Sequence, residues 1–375
     1  MRLELLPQPD VSGLHAVLLA MNADPAVASI LILACEADGL GPGELNPLLQ
    51  GCRKPLFGGV FPQIVHGREK LEQGMIVAGL SCPVRVHALD GLGSEFTDFD
   101  EHILALFGEE DLCGKTMFVL LDGLSRGIAR LVESLFNTLG LEPNYIGGGA
   151  GSLSFRQSPC VLCNQGMLQD AAVLALADCP SSVGVAHGWA PISEAFKVTK
   201  AEANAVLELN WRPAFEIYRQ VVEKHSDRSF DTEPFFDLAK SYPLGIATLD
   251  AEMIVRDPII VRDQSLVCVG EVPEGSHVHI MHGDLQSLVH GASMARNRAL
   301  AGSSDMAGGA LAFFVDCISR VLFLENEFGQ ELERVQCGLP LIGALTLGEV
   351  ANNGDAYLQF YNKTSVVGII HESAF

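Results

Sequence analysis

One short motif occurs twice in the chain, each time directly after an apolar run of the length expected for a buried strand. Residues 122–126 and 316–320 both read Asp, any residue, an aliphatic residue, Ser and Arg, and they start 194 residues apart. Helically spaced apolar residues follow each motif, and then a second short apolar run that contains glycine. A strand, a helix and a strand in this order form a parallel pair joined by a right-handed crossover. The repeated order predicts a mixed α/β fold.

Two weaker matches recur at nearly the same spacing and support an internal duplication. Gly147 matches Gly343, and the pair at residues 86–87 (Val-His) matches the pair at 278–279. A fainter strand, helix and strand opens the chain at residues 28–59, without the Asp-to-Arg motif. The pattern predicts two related domains, each with mixed sheets flanked by helices.

The polar stretch 225–233 is the best candidate for a boundary between these domains. We therefore predict an N-terminal domain at 1–224 and a C-terminal domain at 225–375.

The composition narrows the classes of function. The 375 residues include 24 Lys and Arg against 46 Asp and Glu, a net charge of −22, and 48% are hydrophobic. This hydrophobic content excludes general disorder, and the acidic charge argues against nucleic-acid and membrane partners. The N-terminus lacks the apolar segment of a secretory signal, and several of the ten cysteines lie in apolar runs. We expect a cytoplasmic protein with reduced thiols.

Charged residues at the ends of the predicted parallel strands are candidates for ligand binding, because loops and helix N-termini converge there. Asp122 and Asp316 end such strands, and Arg126 and Arg320 follow one turn later, where they could pair an anionic group. Helix capping is an equally good interpretation of the two aspartates. Cys317, at the same junction, is either a reactive thiolate or a buried structural thiol, and the second is favoured.

Patterns typical of metal sites are incomplete. His277 and His279 share one face of a strand but lack a clear third ligand, and Cys160 and Cys163 form only half of a structural zinc pattern. We predict no metal site.

Haem stays open as a cofactor, since the covalent Cys-x-x-Cys-His motif is absent but non-covalent haem needs only an apolar slot and one axial ligand. His187 and His66 both follow apolar runs and are the candidate ligands. Each is also a plausible core or turn histidine.

Several short motifs, in order along most of the chain, resemble those of the FIST family (F-box and intracellular signal transduction). The first of them are 146–151 (IGGGAG), 187–192 (HGWAPI), 198–201 (VTKA), 207–209 (LEL) and 242–246 (YPLGI). Further motifs follow in the C-terminal part at 272–275 (VPEG), 317–320 (CISR), 348–349 (GE) and 362–364 (NKT).

The resemblance implies a sensory module that binds a small ligand, with amino acids among the ligands proposed for the family. Some members bind haem, respond to nitric oxide and control a histidine kinase, and residues 57–62 (FGGVFP) resemble that subgroup. No kinase, cyclase or DNA-binding motif accompanies these segments, so a signal would leave by protein contact.

We therefore expect a cytoplasmic sensor, not an enzyme, that binds a small ligand between or within its two domains and signals to a partner such as a histidine kinase. The predicted ligand-binding residues are Asp122, Arg126, Gly147, Gly148, Asp316, Cys317, Arg320, Gly343, Glu349 and Asn362. Two alternatives stay open. One is a haem-based nitric oxide sensor with His187 or His66 as ligand, and the other is a Cys317-dependent enzyme.

Overall fold

Residues 1–248, 252–303, 309–352 and 357–371 are described by a computed structural model. They confirm the mixed α/β class, with helices packed on mixed sheets. The chain repeats one order of elements three times: strand, helix, strand, helix, and four further strands.

The bounds of the elements follow this repeat. The first unit contains β1 (Arg2–Leu6), α1 (Val11–Ala23), β2 (Ser29–Cys35), α2 (Pro42–Gly51), β3 (Leu56–Phe61), β4 (Gln63–His66), β5 (Glu69–Leu71) and β6 (Met75–Leu80). The second contains β7 (Val84–Asp90), α3 (Phe99–Phe107), β8 (Thr116–Asp122), α4 (Ile128–Leu139), β9 (Asn144–Ala150), β10 (Val161–Cys163), β11 (Gly166–Leu168) and β12 (Ala171–Ala177).

The third unit is interrupted by an insertion after its first strand. The insertion contains β14 (Ala190–Pro191), β15 (Phe196–Glu202), β16 (Ala205–Leu209), β17 (Arg212–Pro213), α5 (Ala214–Ser226), α6 (Phe235–Ala239), β18 (Leu244–Ile246), β19 (Ile254–Arg262), β20 (Ser265–Val269) and β21 (His277–His282). The unit itself contains β13 (Ser181–Ala186), α7 (Leu285–Ala301), β22 (Ala310–Cys317), α8 (Ile318–Leu324), α9 (Phe328–Val335), β23 (Leu341–Thr346), β24 (Glu349–Asn352), β25 (Leu358–Tyr361) and β26 (Ser365–His371).

Each unit builds most of a six-stranded sheet around one parallel pair. These pairs are β2 with β3, β8 with β9, and β22 with β23. The first three strands and the last strand of a unit stay in its own sheet, but its hairpin joins the sheet of another unit. Hairpin β4–β5 joins the third sheet, β10–β11 the first, and β24–β25 the second. The three units are therefore interlocked in a closed ring.

A glycine occupies the same place in the second strand of every parallel pair. These residues are Gly58, Gly147 and Gly343, which pair with Ile32, Val119 and Phe314. A Cβ atom at any of them would lie 1.9–2.1 Å from the carbonyl oxygen of its partner. Only glycine permits this close approach of the two backbones.

The three sheets enclose a common apolar core, and their other faces carry the helices. Phe118 lies 5.2 Å from Phe57 and 5.6 Å from Phe313 between ring centroids, so aromatic residues of all three units meet at the centre. Separate apolar clusters lie between each sheet and its helices.

The insertion forms a small barrel with its own core. Its strands run β21, β15, β16, β20, β19 and β18, and pairing of β18 with β21 closes the sheet. Apolar residues of α5 and α6 join the barrel core. The polypeptide chain enters the barrel before β14 and leaves it after β21.

The repeat differs from the predicted duplication in number and in extent. The opening segment lacks the Asp-to-Arg motif but is a full third copy, because its strands and helices follow the same order as those of the other two units. The match between residues 86–87 and 278–279 was wrong, since the first pair lies in β7 and the second in the barrel. The predicted boundary after residue 224 falls inside α5, and barrel strands lie on both sides of it.

The two copies of the motif are also out of register by one residue. Val119 and Phe314 pair with the equivalent glycines, so Asp122 is equivalent to Cys317 and not to Asp316. Because side chains alternate along a strand, Asp122 lies on the inner face of its sheet and Asp316 on the helix-covered face of its own.

No helix in the described ranges is long and apolar enough to cross a bilayer. None of the ten cysteines, all of which lie in the described ranges, forms a disulfide.

Candidate functional site

The end of β22 and the start of α8 carry a buried ion pair. Arg320 has no exposed surface, and its Nε lies 3.1 Å from Asp316 Oδ1. The guanidinium also donates to the carbonyl oxygens of His187 (2.6 Å), Leu288 (3.0 Å) and Lys363 (3.2 Å). Arg320 therefore ties the third unit to the segment that enters the barrel.

Glu331, on the buried face of α9, supplies the second carboxylate of this ion pair. Its Oε1 accepts hydrogen bonds from Arg320 Nε (3.0 Å) and Nη2 (2.7 Å), and from Ser365 Oγ (2.6 Å). Ser365 Oγ also lies 3.1 Å from Asp316 Oδ1. Burial and the nearby Glu331 raise the pKa of Asp316 well above its usual range, and Arg320 offsets this only in part.

Glu349 stands at the turn between β23 and β24, with its side chain fully buried. Thr346 Oγ1 donates to its Oε1 at 2.9 Å. Burial raises the pKa of Glu349 to about 8, although Thr346, the Thr364 amide and the Cys317 thiol stabilise its carboxylate. Gly148 pairs with Glu349 across β9 and β24, and a Cβ there would lie 2.7 Å from the Gly348 carbonyl oxygen. The predicted glycine cluster thus makes room for this turn.

Lys363 connects these residues to the barrel. It is fully buried, and its Nζ lies 3.2 Å from Asp257 Oδ2 in β19 and 2.9 Å from the carbonyl oxygen of Lys240. The ammonium also lies 5.2 Å from the centroid of the Trp189 ring, and Trp189 Nε1 donates to the Lys363 carbonyl oxygen at 3.0 Å. We refer to Asp257, Asp316, Cys317, Arg320, Glu331, Glu349, Asn362 and Lys363 as the buried polar cluster.

Several polar atoms of this cluster have no hydrogen-bond partner among the residues that the structure describes. They include Asp316 Oδ2, Glu331 Oε2, Glu349 Oε2 and both side-chain atoms of Asn362. The Asn362 amide lies beside the turn that carries Glu349, since a Cβ on Gly348 would be 3.1 Å from its Nδ2. Leaving a buried polar group unpaired costs about 1–3 kcal/mol, and most such groups in proteins are paired. This concentration marks the cluster as the candidate functional site.

Family models match both parts of the chain around this site. The FIST N domain matches residues 30–212, and the FIST C domain matches residues 214–352. The chain belongs to the FIST family. FIST domains are sensory domains of signal-transduction systems. An uncharacterized protein of Methanocaldococcus jannaschii is 24% identical over 211 residues, which are 50% of this chain and 40% of that protein. The chain thus matches less than half the length of that relative.

Within the FIST fold, half of the predicted ligand-binding residues meet in the buried polar cluster. They are Asp316, Cys317, Arg320, Glu349 and Asn362. Gly148 supports the cluster from the neighbouring strand, whereas Gly147 and Gly343 lie in mid-strand, where they permit close backbone packing.

Asp122 and Arg126 do not join the cluster. Asp122 is buried, but its oxygens accept hydrogen bonds from the Leu124 amide (3.0 Å), the Asp170 amide (2.8 Å) and Gln157 Nε2 (2.7 Å). It therefore organises a loop of the second unit. Arg126 is exposed, in contrast to the buried Arg320, so the two arginines do not line one pocket.

Sequence reasoning missed Glu331, Lys363 and Asp257. Glu331 had a detectable signal, because it lies at helical spacing with Phe328, Leu332 and Val335, where an apolar residue is expected. Lys363 lies within one of the motifs of the resemblance, but its burial was not predictable. Asp257 comes from the barrel, and nothing local in its strand indicates a partner.

The surroundings of Cys317 bear on the proposal of a thiol-dependent enzyme. Burial and the neighbouring Glu349 raise the pKa of Cys317 well above its usual range. A thiol with a raised pKa stays protonated at neutral pH and is a poor nucleophile, because the thiolate is the reactive species. The geometry favours a structural thiol.

Neither candidate histidine has surroundings that fit a haem. The backbone beside His187 is closed in by α7, since a Cβ on Gly188 would lie 2.1 Å from the Ser287 carbonyl oxygen. His187 Nδ1 also accepts a hydrogen bond from the Trp189 amide at 2.9 Å. His66 is half-buried at the end of β4, beside the turn to β5, rather than enclosed in a buried apolar slot.

The raised pKa of Glu349 predicts a pH-dependent stability. A carboxyl with a folded pKa of about 8 and an ordinary value of 4.5 binds its proton more tightly in the folded state, so the free energy of unfolding falls as pH rises between these values. Burial lowers the pKa of His187 to about 4 from 6.5, which has the opposite effect below pH 6.5. Between pH 6.5 and 8 we expect the free energy of unfolding to fall by up to about 1.4 kcal/mol per pH unit for each proton that the folded state binds in excess of the unfolded state.

Urea unfolding at half-unit steps from pH 6.5 to 8 checks this prediction. Glu349→Gln, which stays neutral, is expected to flatten the dependence. Equal slopes for the two proteins would show that Glu349 does not titrate in this window.

Proposed function

We propose that this FIST protein is a sensor that binds a small polar ligand in the buried polar cluster and passes its occupancy to a signalling protein. The observation that carries the proposal is the set of unpaired polar atoms on Asp316, Glu331, Glu349 and Asn362. A ligand that completes these hydrogen bonds would be bound strongly, because the free protein already bears the cost of desolvating them.

The position of the cluster suggests how occupancy changes the protein. Arg320, Glu331 and Glu349 belong to the third unit, whereas Asp257 belongs to the barrel. Lys363 bridges the two through its contact with Asp257. A ligand that binds one arrangement of barrel and third unit better than another would shift the equilibrium between them.

The barrel is suited to such a movement by its connections. It enters and leaves the third unit at residues 187–189 and 283–284. The first connection contacts the cluster directly, through the hydrogen bond from Arg320 to the His187 carbonyl oxygen and through the Trp189 ring near Lys363. All cluster side chains are buried, so ligand entry requires the barrel and third unit to separate locally.

The proposed recipient of the signal is a protein partner such as a histidine kinase, which would read the position of the barrel. We base this proposal on the polar cluster rather than on haem, because the surroundings of His187 and His66 do not fit a porphyrin.

Thermal unfolding with a panel of small polar compounds tests the proposed site. The panel covers amino acids, organic acids, amines, sugars and nucleotides, with wild type, Glu349→Gln and Asp122→Asn compared. We expect at least one class to stabilise the wild type, by about 2.7 kcal/mol at a hundredfold excess over its Kd. Glu349→Gln should lose the response, and Asp122→Asn, a change at a buried carboxyl outside the cluster, should keep it.

Two outcomes would contradict the proposal. One is a panel in which no compound raises the unfolding temperature of the wild type. The other is a stabilising compound whose effect survives in Glu349→Gln.

A further inference from the structure

We infer that the ligand carries a positively charged amine or guanidine group, and that its binding displaces a proton from the buried polar cluster. This inference rests on the proposed function and specifies the class of ligand for the same site. It follows from the balance of charges and of hydrogen-bond donors in the cluster.

The cluster contains more carboxyl groups than cations. Its four carboxyls belong to Asp257, Asp316, Glu331 and Glu349, and its two cations are Arg320 and Lys363. A third buried cation, Arg256, lies nearby, but its guanidinium donates to the carbonyl oxygens of Val255, Glu271 and Phe360. Lys363 pairs with Asp257, and Arg320 is shared between Asp316 and Glu331, so two of the four carboxyls lack a full countercharge.

Protons supply the missing positive charge when no ligand is bound. Burial raises the pKa of Glu349 to about 8, and burial together with Glu331 raises that of Asp316. Glu349 is then largely neutral at pH 7, and the pKa of Asp316 is shifted in the same direction. An ammonium group entering beside Glu349 makes its carboxylate favourable, so the carboxyl releases its proton to solvent as the ion pair forms. One positive charge enters and one leaves.

The unpaired atoms also match a donor-rich ligand. Asp316 Oδ2, Glu331 Oε2, Glu349 Oε2 and Asn362 Oδ1 are acceptors once the carboxyls are ionised, against one unpaired donor at Asn362 Nδ2. An ammonium donates three hydrogen bonds and accepts none, and a guanidinium donates up to five.

An anionic ligand would fit poorly, because the buried cations are already engaged. The Arg320 guanidinium binds Glu331 and three carbonyl oxygens, and the Lys363 ammonium contacts Asp257 and the Lys240 carbonyl oxygen. An anion would have to displace these partners and would meet unpaired carboxyl oxygens.

Matched four-carbon compounds separate the alternatives. Putrescine, 1,4-butanediol and succinate share a carbon chain and differ in end group, and ethylenediamine, cadaverine, agmatine and arginine extend the amine series. Thermal unfolding of the intact 375-residue chain is expected to show stabilisation by at least one amine or guanidine and none by the diol or the diacid. If no amine or guanidine raises the unfolding temperature, the inference is overturned.

Calorimetric titration of the active amine at pH 7 in phosphate and in Tris then measures proton release. These buffers differ in ionisation enthalpy, so release of a proton makes the observed heat differ between them. In Glu349→Gln we expect weaker binding of the amine and the same heat in both buffers. Glu349→Asp should recover part of the affinity and part of the difference in heat between the buffers. Equal heats in the wild type would overturn proton displacement.

The failures of the two proposals are distinguishable. If succinate or butanediol stabilises the wild type and Glu349→Gln abolishes the effect, the proposed site stands and the ligand class is wrong. If no compound of any class stabilises the wild type, the proposed function fails together with this inference.

Discussion

Separating the chain after residue 224 is expected to leave neither fragment folded on its own. The third sheet takes β13 and the β4–β5 hairpin from the first fragment but its three central strands from the second. The second sheet loses the β24–β25 hairpin, and the barrel is divided between β16 and β18. Each fragment therefore has exposed strand edges and an incomplete core, which prevent independent folding. Urea unfolding of fragment 1–224 should show no cooperative transition.

Tryptophan fluorescence gives a sharp readout of this experiment. Trp189 is buried, packs 5.4 Å from the Phe323 ring and donates to the Lys363 carbonyl oxygen, so the second fragment provides its surroundings. Trp211 is 75% exposed and should emit at long wavelength in every sample. Fragment 1–224 is expected to emit at longer wavelength than the intact chain, and mixing in fragment 225–375 should reverse the shift. A cooperative transition and a short-wavelength emission from 1–224 alone would contradict the interlocked fold.

Arg320→Ala is expected to lower the free energy of unfolding by about 3–5 kcal/mol, the usual cost of removing one partner of a buried ion pair. The change leaves Glu331 and Asp316 buried without their cation. It also removes the donor to the carbonyl oxygens of His187, Leu288 and Lys363. Urea unfolding at pH 7 measures the difference.

Arg126→Ala is the matched control, because Arg126 occupies the corresponding place in the other copy of the motif but is exposed. Its effect should stay within about 0.5 kcal/mol. Arg320→Lys should recover little, since an ammonium cannot reproduce the fork of donors that the guanidinium uses. If the two alanine variants differ by less than 1 kcal/mol, the cluster does not depend on Arg320 in the way its contacts imply.

Much of the local structure could be predicted from apolar periodicity. The strand expected at residues 117–121 is β8 (Thr116–Asp122), and the helix expected from about residue 125 to 139 is α4 (Ile128–Leu139). The parallel pair of β8 and β9 follows from the short helix that connects them. These features depend on neighbours in the chain, so the sequence carries them directly.

The alignment of the two motifs failed for a physical reason. Sequence matching placed Asp122 on Asp316, but the backbone pairs in register through Gly147 and Gly343, which sets Asp122 on Cys317. A shift of one residue along a strand moves each side chain to the opposite face of the sheet, so the matching residues of the two motifs lie in different environments. Motif similarity cannot report which face a residue occupies.

The candidate site shows the same limit. Asp316, Cys317 and Arg320 were predicted together because they are close in the chain, and Glu349 and Asn362 because they lie in motifs that resemble those of the family. Glu331 pairs with Arg320 through helix packing, and Asp257 reaches Lys363 across 106 positions of the chain. Contacts between such distant positions leave no local pattern.

The amino-acid sequence alone determined the class of fold, the position of its parallel pairs and the membership of the FIST family, because periodicity and short motifs are local properties. Only the tertiary structure decided that three units exchange hairpins in a ring and that a barrel is inserted in the third. It also decided that Arg320 is buried while Arg126 is exposed. These features arise from packing between distant segments, and the free energy of burying one charge rather than the other is set by that packing.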